Sequence, residues 1–220
     1  MIKELYPTNV FIKQLDISDE KLLKIENYLL SQHLKFKSDV RNDHKEYRDG
    51  NENIIFDAIV DGHCPEMDEL VNKIKEGFIS LAYSNIKDYD ETNTERLYLD
   101  TVIDSCKINL MEKGYRLGCH THFGDDAFAC FYFNEIKDDE GGELMLYDPR
   151  WQKNYWFAGS KVEKIRPKRG LLVIAPSFLW HEVTQYHGDE QRLCLVVNAQ
   201  VKNLAKDLEA NKVDQSNYSL

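Results

Sequence analysis

Residues 114–134 read GYRLGCHTHFGDDAFACFYFN, and this stretch places two histidines, His120 and His122, just before an apolar run. Side chains two residues apart in an extended chain point to the same side, so both imidazoles are expected on one face. Two neutral imidazoles that converge on one face supply half of a metal site. The stretch therefore predicts part of a metal centre at the beginning of a strand.

Composition limits the classes of partner. The 220 residues suffice for one domain with a buried core. With 28 Lys and Arg against 38 Asp and Glu, the formal net charge is −10, so nucleic acid and anionic membranes are not expected partners. No apolar run approaches the ~20 residues that cross a bilayer, and the N-terminus lacks the order of a signal peptide. We expect a soluble, cytoplasmic protein.

The first 96 residues predict an α-rich support for the rest of the chain. Ser18 is a suitable N-cap for the helix DEKLLKIENYLLSQ, and Pro65 suits the first turn of a helix that runs to about Asn85. The apolar run IIFDAIV at 54–60 predicts a strand, as does NVFI at 9–12.

From residue 97 the pattern changes to short strands separated by Gly, Pro, Asp and Asn. Many short strands with turn signals indicate a sandwich or barrel with the helices packed on one sheet. The predicted strands are 97–103, 106–111, 127–133, 143–147, 162–165, 171–175 and 192–197, with a weaker one at 156–157. We expect a single domain, with the barrel at 97–198 and a C-terminal helix and tail at 199–220.

A second stretch, GLLVIAPSFLWHEVTQYHGDEQRLCLVVN at 170–198, supplies a third histidine and an arginine. His181 is expected to close one strand and Arg192 to open the next. A hairpin centred between Tyr186 and His187 would place the Cβ atoms of His181 and Arg192 about 5–8 Å apart. A metal and a guanidinium at that separation suit a small dicarboxylate, because the arginine fork matches carboxylate geometry. Alternation along 127–133 adds the Tyr132 phenol to the same face.

The order of these motifs resembles a known family. HTH, FACFYFNE, GGELMLYDPR, LLVIAPSFLWHEV and RLCLVVN succeed one another as in the Fe(II)/2-oxoglutarate-dependent oxygenases. The sequence is most similar to the prolyl-4-hydroxylase-like branch, and within it to small bacterial and phage proteins that carry HxH rather than HxD. The resemblance covers about residues 97–198, with a weaker similarity at ELYPTNVFIKQL near the start.

The resemblance implies a mainly β fold with α, a double-stranded β-helix (a jelly-roll, cupin-like barrel) supported by N-terminal helices. It implies that His120 and His181 bind Fe(II), and that Arg192, assisted by Tyr132, binds the remote carboxylate of 2-oxoglutarate. The implied reaction consumes O2 and 2-oxoglutarate, releases succinate, and hydroxylates a C–H bond of a peptidyl or amino-acid-like substrate. The redox step belongs to the iron, so we assign no separate protein acid or base.

One position departs from the common pattern, because His122 replaces the carboxylate of HxD. Either His122 completes the metal site, or Asp125 or Asp126 does so from the same loop. Two rival functions stay open: a non-catalytic jelly-roll binding or structural protein, and a cupin-type three-histidine dioxygenase that uses no 2-oxo acid. Arg192 and Tyr132 argue against the second rival, which needs no clamp for a remote carboxylate. Substrate specificity is expected in loops 34–53, 86–95 and 151–161.

Overall fold

The computed structural model describes residues 7–39, 54–87, 99–149 and 162–203. Three helices and nine strands lie in these ranges. They are β1 (Phe11–Gln14), α1 (Asp19–Asp39), α2 (Ile54–Val60), α3 (Glu66–Lys87), β2 (Leu99–Met111), β3 (Leu117–His120), β4 (Ala127–Tyr132), β5 (Leu144–Tyr147), β6 (Val162–Ile165), β7 (Leu171–Pro176), β8 (His181–Val183) and β9 (Arg192–Asn203).

The strands form two antiparallel sheets. One has five strands in the order β1-β7-β4-β9-β2, and the other has four in the order β3-β8-β5-β6. Sequence neighbours such as β8 and β9 lie in different sheets, so the chain alternates between the two layers. This is the predicted double-stranded β-helix, and the predicted fold class is confirmed.

Strand β4 shows why its sequence suits the middle of this arrangement. All six of its residues are buried, because both faces of the five-stranded sheet are covered. Ala129 and Phe131 pack in the cluster that contains the helices. Phe128, Cys130 and Tyr132 pack in the cluster between the two sheets. The predicted alternation along this strand is therefore confirmed.

The helices cover the outer face of the five-stranded sheet. Helix α1 begins one residue after Ser18, whose hydroxyl accepts a hydrogen bond from the Lys21 amide at 3.5 Å, as the predicted N-cap should. Helix α3 begins just after Pro65 and packs closely on the sheet at Gly77. A Cβ atom at Gly77 would lie 2.6 Å from Cδ1 of Ile174 on β7, so a larger residue would require the Ile174 side chain to move.

Several predicted elements are wrong in type or extent. Residues 54–60 form helix α2, not a strand, and Ile55 and Ala58, three residues apart, provide its buried side; a seven-residue apolar run does not distinguish the two by periodicity. The strands predicted at 97–103 and 106–111 are one long strand, β2. Strand β9 continues to Asn203, where a helix was expected. The strand predicted at 156–157 and the tail after 203 lie outside the described residues.

The predicted hairpin between His181 and Arg192 is also wrong. His181 begins a strand, β8, that pairs with β3 and β5, whereas Arg192 begins β9, which pairs with β2 and β4. The turn at 187–190 has the right chemistry for a hairpin, but the chain uses it to cross from one sheet to the other.

Cysteines and helices add two smaller results. Cys106, Cys130 and Cys194 are buried, and no disulfide joins the five cysteines, all of which lie in the described ranges. In the described ranges, no helix combines the length and the apolar character that crossing a membrane requires.

Candidate metal centre and its cavity

Three histidines converge at one end of the space between the sheets. His120 ends β3 and His181 begins β8, and these two residues are directly paired across the strands. His122 follows two residues after His120, in the turn before β4. The ligand atoms that the three side chains can offer all lie within 4.8 Å of one another. The four-stranded sheet thus brings the third histidine to the HxH pair from 59 residues further along the chain.

Backbone carbonyls orient two of the rings. Nδ1 of His120 lies 2.8 Å from the Gly118 carbonyl oxygen, and Nδ1 of His181 lies 2.9 Å from that of Leu179. A carbonyl only accepts, so we assign the Nδ1–H tautomer to both rings, in which the unprotonated Nε2 is the atom that can bind a metal. Nε2 of His122 and Nε2 of His181 are 3.2 Å apart. Ligands about 2.1 Å from one metal and at right angles to each other lie about 3 Å apart, so this spacing suits a shared ion.

Burial keeps His181 in its ligating form. Its ring stacks on Phe128 with centroids 4.1 Å apart, and the Phe128 ring also stacks on His122 at 4.8 Å. His181 is 3% exposed. Desolvation lowers the pKa of His181 to about 3, and the neighbouring His120 and His122 lower it further while the Leu179 carbonyl opposes them. A neutral imidazole with a free Nε2 is the form that binds a metal.

The two aspartates of the loop play different parts. A carboxylate oxygen of Asp126 accepts a hydrogen bond from the Val201 amide at 2.8 Å, so this side chain supports the backbone of β9. Asp125 lines the same cavity as the histidines. The group of clustered ligand atoms among the described residues contains the three histidines and not Asp125. The geometry therefore favours His122 over Asp125 as the third ligand, a role that stays a prediction.

A cavity of about 360 Å³ opens from the histidines between the sheets, and both Arg192 and Tyr132 line it. Arg192 is 1% exposed, and its guanidinium carbon lies 5.2 Å from the centre of the Tyr132 ring. Nη1 of Arg192 donates to the Met111 sulfur at 3.2 Å, while its Nε is buried without a hydrogen-bond partner. Among the described residues no salt bridge neutralises this guanidinium. A buried cation of this kind calls for an anionic ligand.

Two neighbours complete the surroundings of Arg192. Burial raises the pKa of the Tyr132 phenol well above its usual range, so its O–H remains a hydrogen-bond donor at neutral pH. Gly142, with φ +75°, lies against the arginine, because a Cβ atom there would come within 3.1 Å of the Arg192 Cδ. The second glycine of the Gly141–Gly142 pair therefore leaves room for the arginine stem.

The side chains of β4, β9 and β2 that face the cavity form its floor, and the strand pairing arranges them in rows. Met111 pairs with Arg192 at one end. The next rows towards the histidines are Tyr132–Cys194–Asn109, Cys130–Val196–Lys107 and Phe128–Asn198–Ser105. Arg192 and Asn198 are six residues apart on β9, a Cα separation of about 20 Å. The arginine thus lies at one end of the floor, and Phe128, which stacks on the histidines, lies at the other.

This donor set fits Fe(II) and 2-oxoglutarate. Neutral imidazoles suit iron, and the unpaired, buried guanidinium with a phenol beside it suits a carboxylate. His120, His122, His181, Arg192 and Tyr132 all line one cavity, so the predicted site residues come together in space. Asn198 and Asn109 are further polar residues of this cavity that were not predicted from the sequence. Alternation from Arg192 along β9, and from Met111 along β2, would have placed both on the same face.

The identity of the third ligand can be tested by replacing each of its two candidates, His122 and Asp125, in a separate variant. We expect Asp125→Asn to retain one Fe(II) per chain, since the Asp125 carboxylate lies outside the histidine cluster. His122→Ala should weaken Fe(II) binding by at least about tenfold, because it removes a ligand. Anaerobic titration with Fe(II), followed by metal analysis after gel filtration, measures both. Iron lost from Asp125→Asn and retained by His122→Ala would identify the aspartate as the ligand.

Comparison with known proteins agrees with this geometry. Residues 105–198 match the model of a family described as "Putative 2OG-Fe(II) oxygenase". The comparison with curated proteins yields no match. Among solved structures, AviO1 from Streptomyces viridochromogenes Tue57 is similar over 88% of this chain and 90% of its own, with a TM-score of 0.57 at 13% identity.

Two further structures have the same fold. A prolyl hydroxylase from Trichoplax adhaerens, solved in complex with a hypoxia inducible factor peptide fragment, matches 87% of this chain and 83% of its own, with a TM-score of 0.52 and 16% identity. HygX from Streptomyces hygroscopicus, solved with iron bound, matches 88% and 82%, with a TM-score of 0.51 and 9% identity. At these identities the likeness is one of fold. The matched segment, the shared fold and the three-histidine site together make this chain similar to the Fe(II)/2-oxoglutarate oxygenases.

Proposed function

We propose that this protein is an Fe(II)- and 2-oxoglutarate-dependent dioxygenase that hydroxylates a C–H bond of a peptidyl or small amino-acid-like substrate. The observation that carries the proposal is the arrangement of the cavity. Three histidines whose ligand atoms lie within 4.8 Å of one another lie at one end of its floor, and a buried arginine with no salt bridge among the described residues lies at the other. When bound, Fe(II) and 2-oxoglutarate supply the oxidising chemistry, in which O2 and 2-oxoglutarate are consumed and succinate, CO2 and the hydroxylated substrate are formed.

The residues of the chain have separate tasks in this proposal. His120, His122 and His181 hold the iron, and the carbonyls of Gly118 and Leu179 keep two of those rings correctly oriented. Arg192 binds the remote carboxylate of 2-oxoglutarate, and the Tyr132 O–H donates to the same carboxylate. Both residues are almost fully buried, so water does not compete strongly for the carboxylate.

Apolar side chains also lie in the middle of the floor, next to Lys107 and Asn109 of β2. Between the two ends lie Cys130, Cys194 and the half-buried Val196, with Leu144 of β5 opposite. These apolar side chains suit the methylene groups of 2-oxoglutarate. The two ends of the floor also orient that cosubstrate, because only one end of 2-oxoglutarate can chelate a metal while the other meets the arginine.

The peptidyl or amino-acid-like substrate is inferred from the branch. The T. adhaerens prolyl hydroxylase was solved with a peptide fragment, and its fold is shared by this chain. We also propose that the whole chain acts as one domain. The helices contribute to a single core cluster with β2, β4, β7 and β9, which supports this view.

The test is anaerobic reconstitution of the apoprotein with Fe(II), followed by 2-oxoglutarate. We expect the weak visible charge-transfer band of a chelated 2-oxo acid, and succinate once oxygen is admitted. A titration with oxalacetate and with pyruvate serves as the control, because pyruvate lacks the second carboxylate and should bind much more weakly.

Each outcome separates the candidate functions. A band with succinate supports the oxygenase. Iron binding with neither band nor succinate would contradict the proposal and favour a three-histidine dioxygenase that needs no 2-oxo acid. Failure to bind iron at all would leave a barrel with a binding or structural role.

A further inference from the structure

The row of the cavity floor nearest the histidines is polar at its centre. Asn198 of β9 pairs with Phe128 on one side and with Ser105 on the other. Because paired residues project to the same face of a sheet, Asn198 faces the cavity beside the ring that stacks on His122 and His181. Asn198 is 5% exposed and lines the cavity. Its Nδ2 donates to the Ser105 hydroxyl at 3.0 Å, while its Oδ1 is buried without a hydrogen-bond partner.

A bulge brings a carboxylate to the same end. The pairing of β2 with β9 shifts between Ile103 and Ser105, so Asp104 is the extra residue. In a regular strand Asp104 would point away from the face that Ser105 occupies. With the bulge, both residues line the cavity, which is a common use of bulges near functional sites.

A second carboxylate reaches this end from the loop after His122. Asp125 lines the cavity, and its Oδ1 is buried without a hydrogen-bond partner. Burial raises the pKa of Asp125, and the nearby Asp104 carboxyl raises it further while Lys107 lowers it. Two neighbouring carboxyl groups with a buried oxygen are stabilised when a cation joins them.

The unpartnered atoms at this end are all acceptors. These atoms are the Oδ1 atoms of Asn198 and Asp125, which are buried without a hydrogen-bond partner. Buried acceptors without donors are costly, so their natural complement is a ligand that carries several N–H groups. Asp104 and Asp125 carry two negative charges against the one positive charge of Lys107 on this wall, so a cationic ligand also matches the charge.

The position of this group separates it from the cosubstrate. The floor between Arg192 and the histidines serves the dicarboxylate in the proposed function. Asn198 lies in the row beside the histidines, at the far end from Arg192. Phe123, which is 93% exposed, also lines the cavity next to His122. An exposed aromatic ring beside carboxylates is a suitable neighbour for an ammonium or guanidinium group.

We propose that Asn198, Asp104 and Asp125 form the subsite for the primary substrate, and that this subsite selects a substrate bearing a cationic N–H group. The substrate class is a basic side chain or a related amine or guanidine, presented so that its cationic end meets the carboxylates while a nearby C–H bond faces the histidines. This inference rests on the proposed function, since it treats the remaining end of the cavity as the place where the hydroxylated molecule binds.

Binding measured without turnover tests the inference. The protein is loaded anaerobically with Fe(II) and 2-oxoglutarate, and calorimetry follows the addition of Nα-acetyl-lysine methylamide. The same compound built on arginine distinguishes a guanidinium from an ammonium. The compound built on norleucine is the control, because it keeps the methylene chain and lacks the charge. We expect the better cationic compound to bind at least about tenfold more tightly than the norleucine compound.

Variants then assign the preference to these residues. Asp125→Asn and Asn198→Leu should each reduce the preference for the cationic compound severalfold, without removing the charge-transfer band of bound 2-oxoglutarate. Asp139→Asn, which changes an exposed carboxylate outside the cavity, is the matched control and should leave the preference unchanged.

The outcomes distinguish the two levels of inference. A charge-transfer band with equal binding of the cationic and norleucine compounds, or with no binding of either cationic compound at 10 mM, would overturn the cationic subsite and leave the oxygenase intact. A preference that survives both cavity variants would overturn the assignment to these residues. Absence of the band in the unaltered protein would instead overturn the proposed function.

Discussion

His181→Ala is expected to abolish stoichiometric binding of Fe(II). In the proposed site His181 is the ligand contributed by the second half of the chain, and its Nε2 lies 3.2 Å from that of His122. Without it two histidines from one turn remain, and chelation by three side chains is lost. We expect the affinity for Fe(II) to fall more than about 100-fold, because even residues that only orient a ligand cost 10–100-fold when replaced. Anaerobic titration with Fe(II) measures the affinity.

The control for this experiment is His187→Ala. His187 is exposed, six residues away in the crossing between β8 and β9, and its loss should leave Fe(II) binding unchanged. His181 is buried, so circular dichroism must first show that the variant folds, and His181→Gln offers a replacement of similar size. If a folded variant still holds one Fe(II) per chain, another residue is the third ligand.

Arg192→Ala is expected to weaken 2-oxoglutarate binding at least about 100-fold while leaving Fe(II) in place. The guanidinium is buried, its Nε has no partner, and among the described residues it has no salt bridge. Two charge-assisted hydrogen bonds to one carboxylate, each contributing about 1.5–3 kcal/mol, account for a loss of this size. Because no carboxylate among the described residues forms a salt bridge with Arg192, the Arg192→Ala substitution leaves no buried carboxylate without its counter-charge.

Titration of the charge-transfer band with 2-oxoglutarate measures this effect. The affinity of Arg192→Lys for 2-oxoglutarate should lie between those of the unaltered protein and Arg192→Ala, because an ammonium keeps the charge but not the planar fork. Arg116→Ala removes an exposed arginine outside the cavity and should bind 2-oxoglutarate as the unaltered protein does. Unchanged affinity in Arg192→Ala would show that the cosubstrate's remote carboxylate binds elsewhere.

Local sequence was sufficient where neighbouring residues decide the structure. Ser18 and Pro65 correctly marked the beginnings of two helices, and the alternation in β4 correctly divided Phe128, Cys130 and Tyr132 from Phe131. The run at 54–60 misled because its residues have the β-branched character of a strand. Packing on helix α3 decides its conformation, and that packing depends on residues distant in sequence.

The pairing of distant strands was the point at which local reasoning failed. His181 and Arg192 were predicted to be neighbours in one hairpin, and they lie in different sheets. Both nevertheless line the same cavity, because the two sheets face each other. His181 and Arg192 therefore line one cavity as expected, but because two sheets pack face to face, which the residues of a turn do not predict.

The amino-acid sequence alone predicted the residues of the site: two histidines at HxH spacing, a third histidine, an arginine at the beginning of a strand, and an order of motifs that resembles the Fe(II)/2-oxoglutarate-dependent oxygenases. These depend on residue type and short-range spacing, which side-chain alternation makes readable. The pairing and packing of the strands decide which of these residues meet. They bring β3 beside β8 so that the imidazoles converge, bury Arg192 without a salt bridge among the described residues, and bring Asp104 to the cavity through a bulge. Those results depend on strand register and on the packing of one sheet against another, which short segments of sequence do not encode.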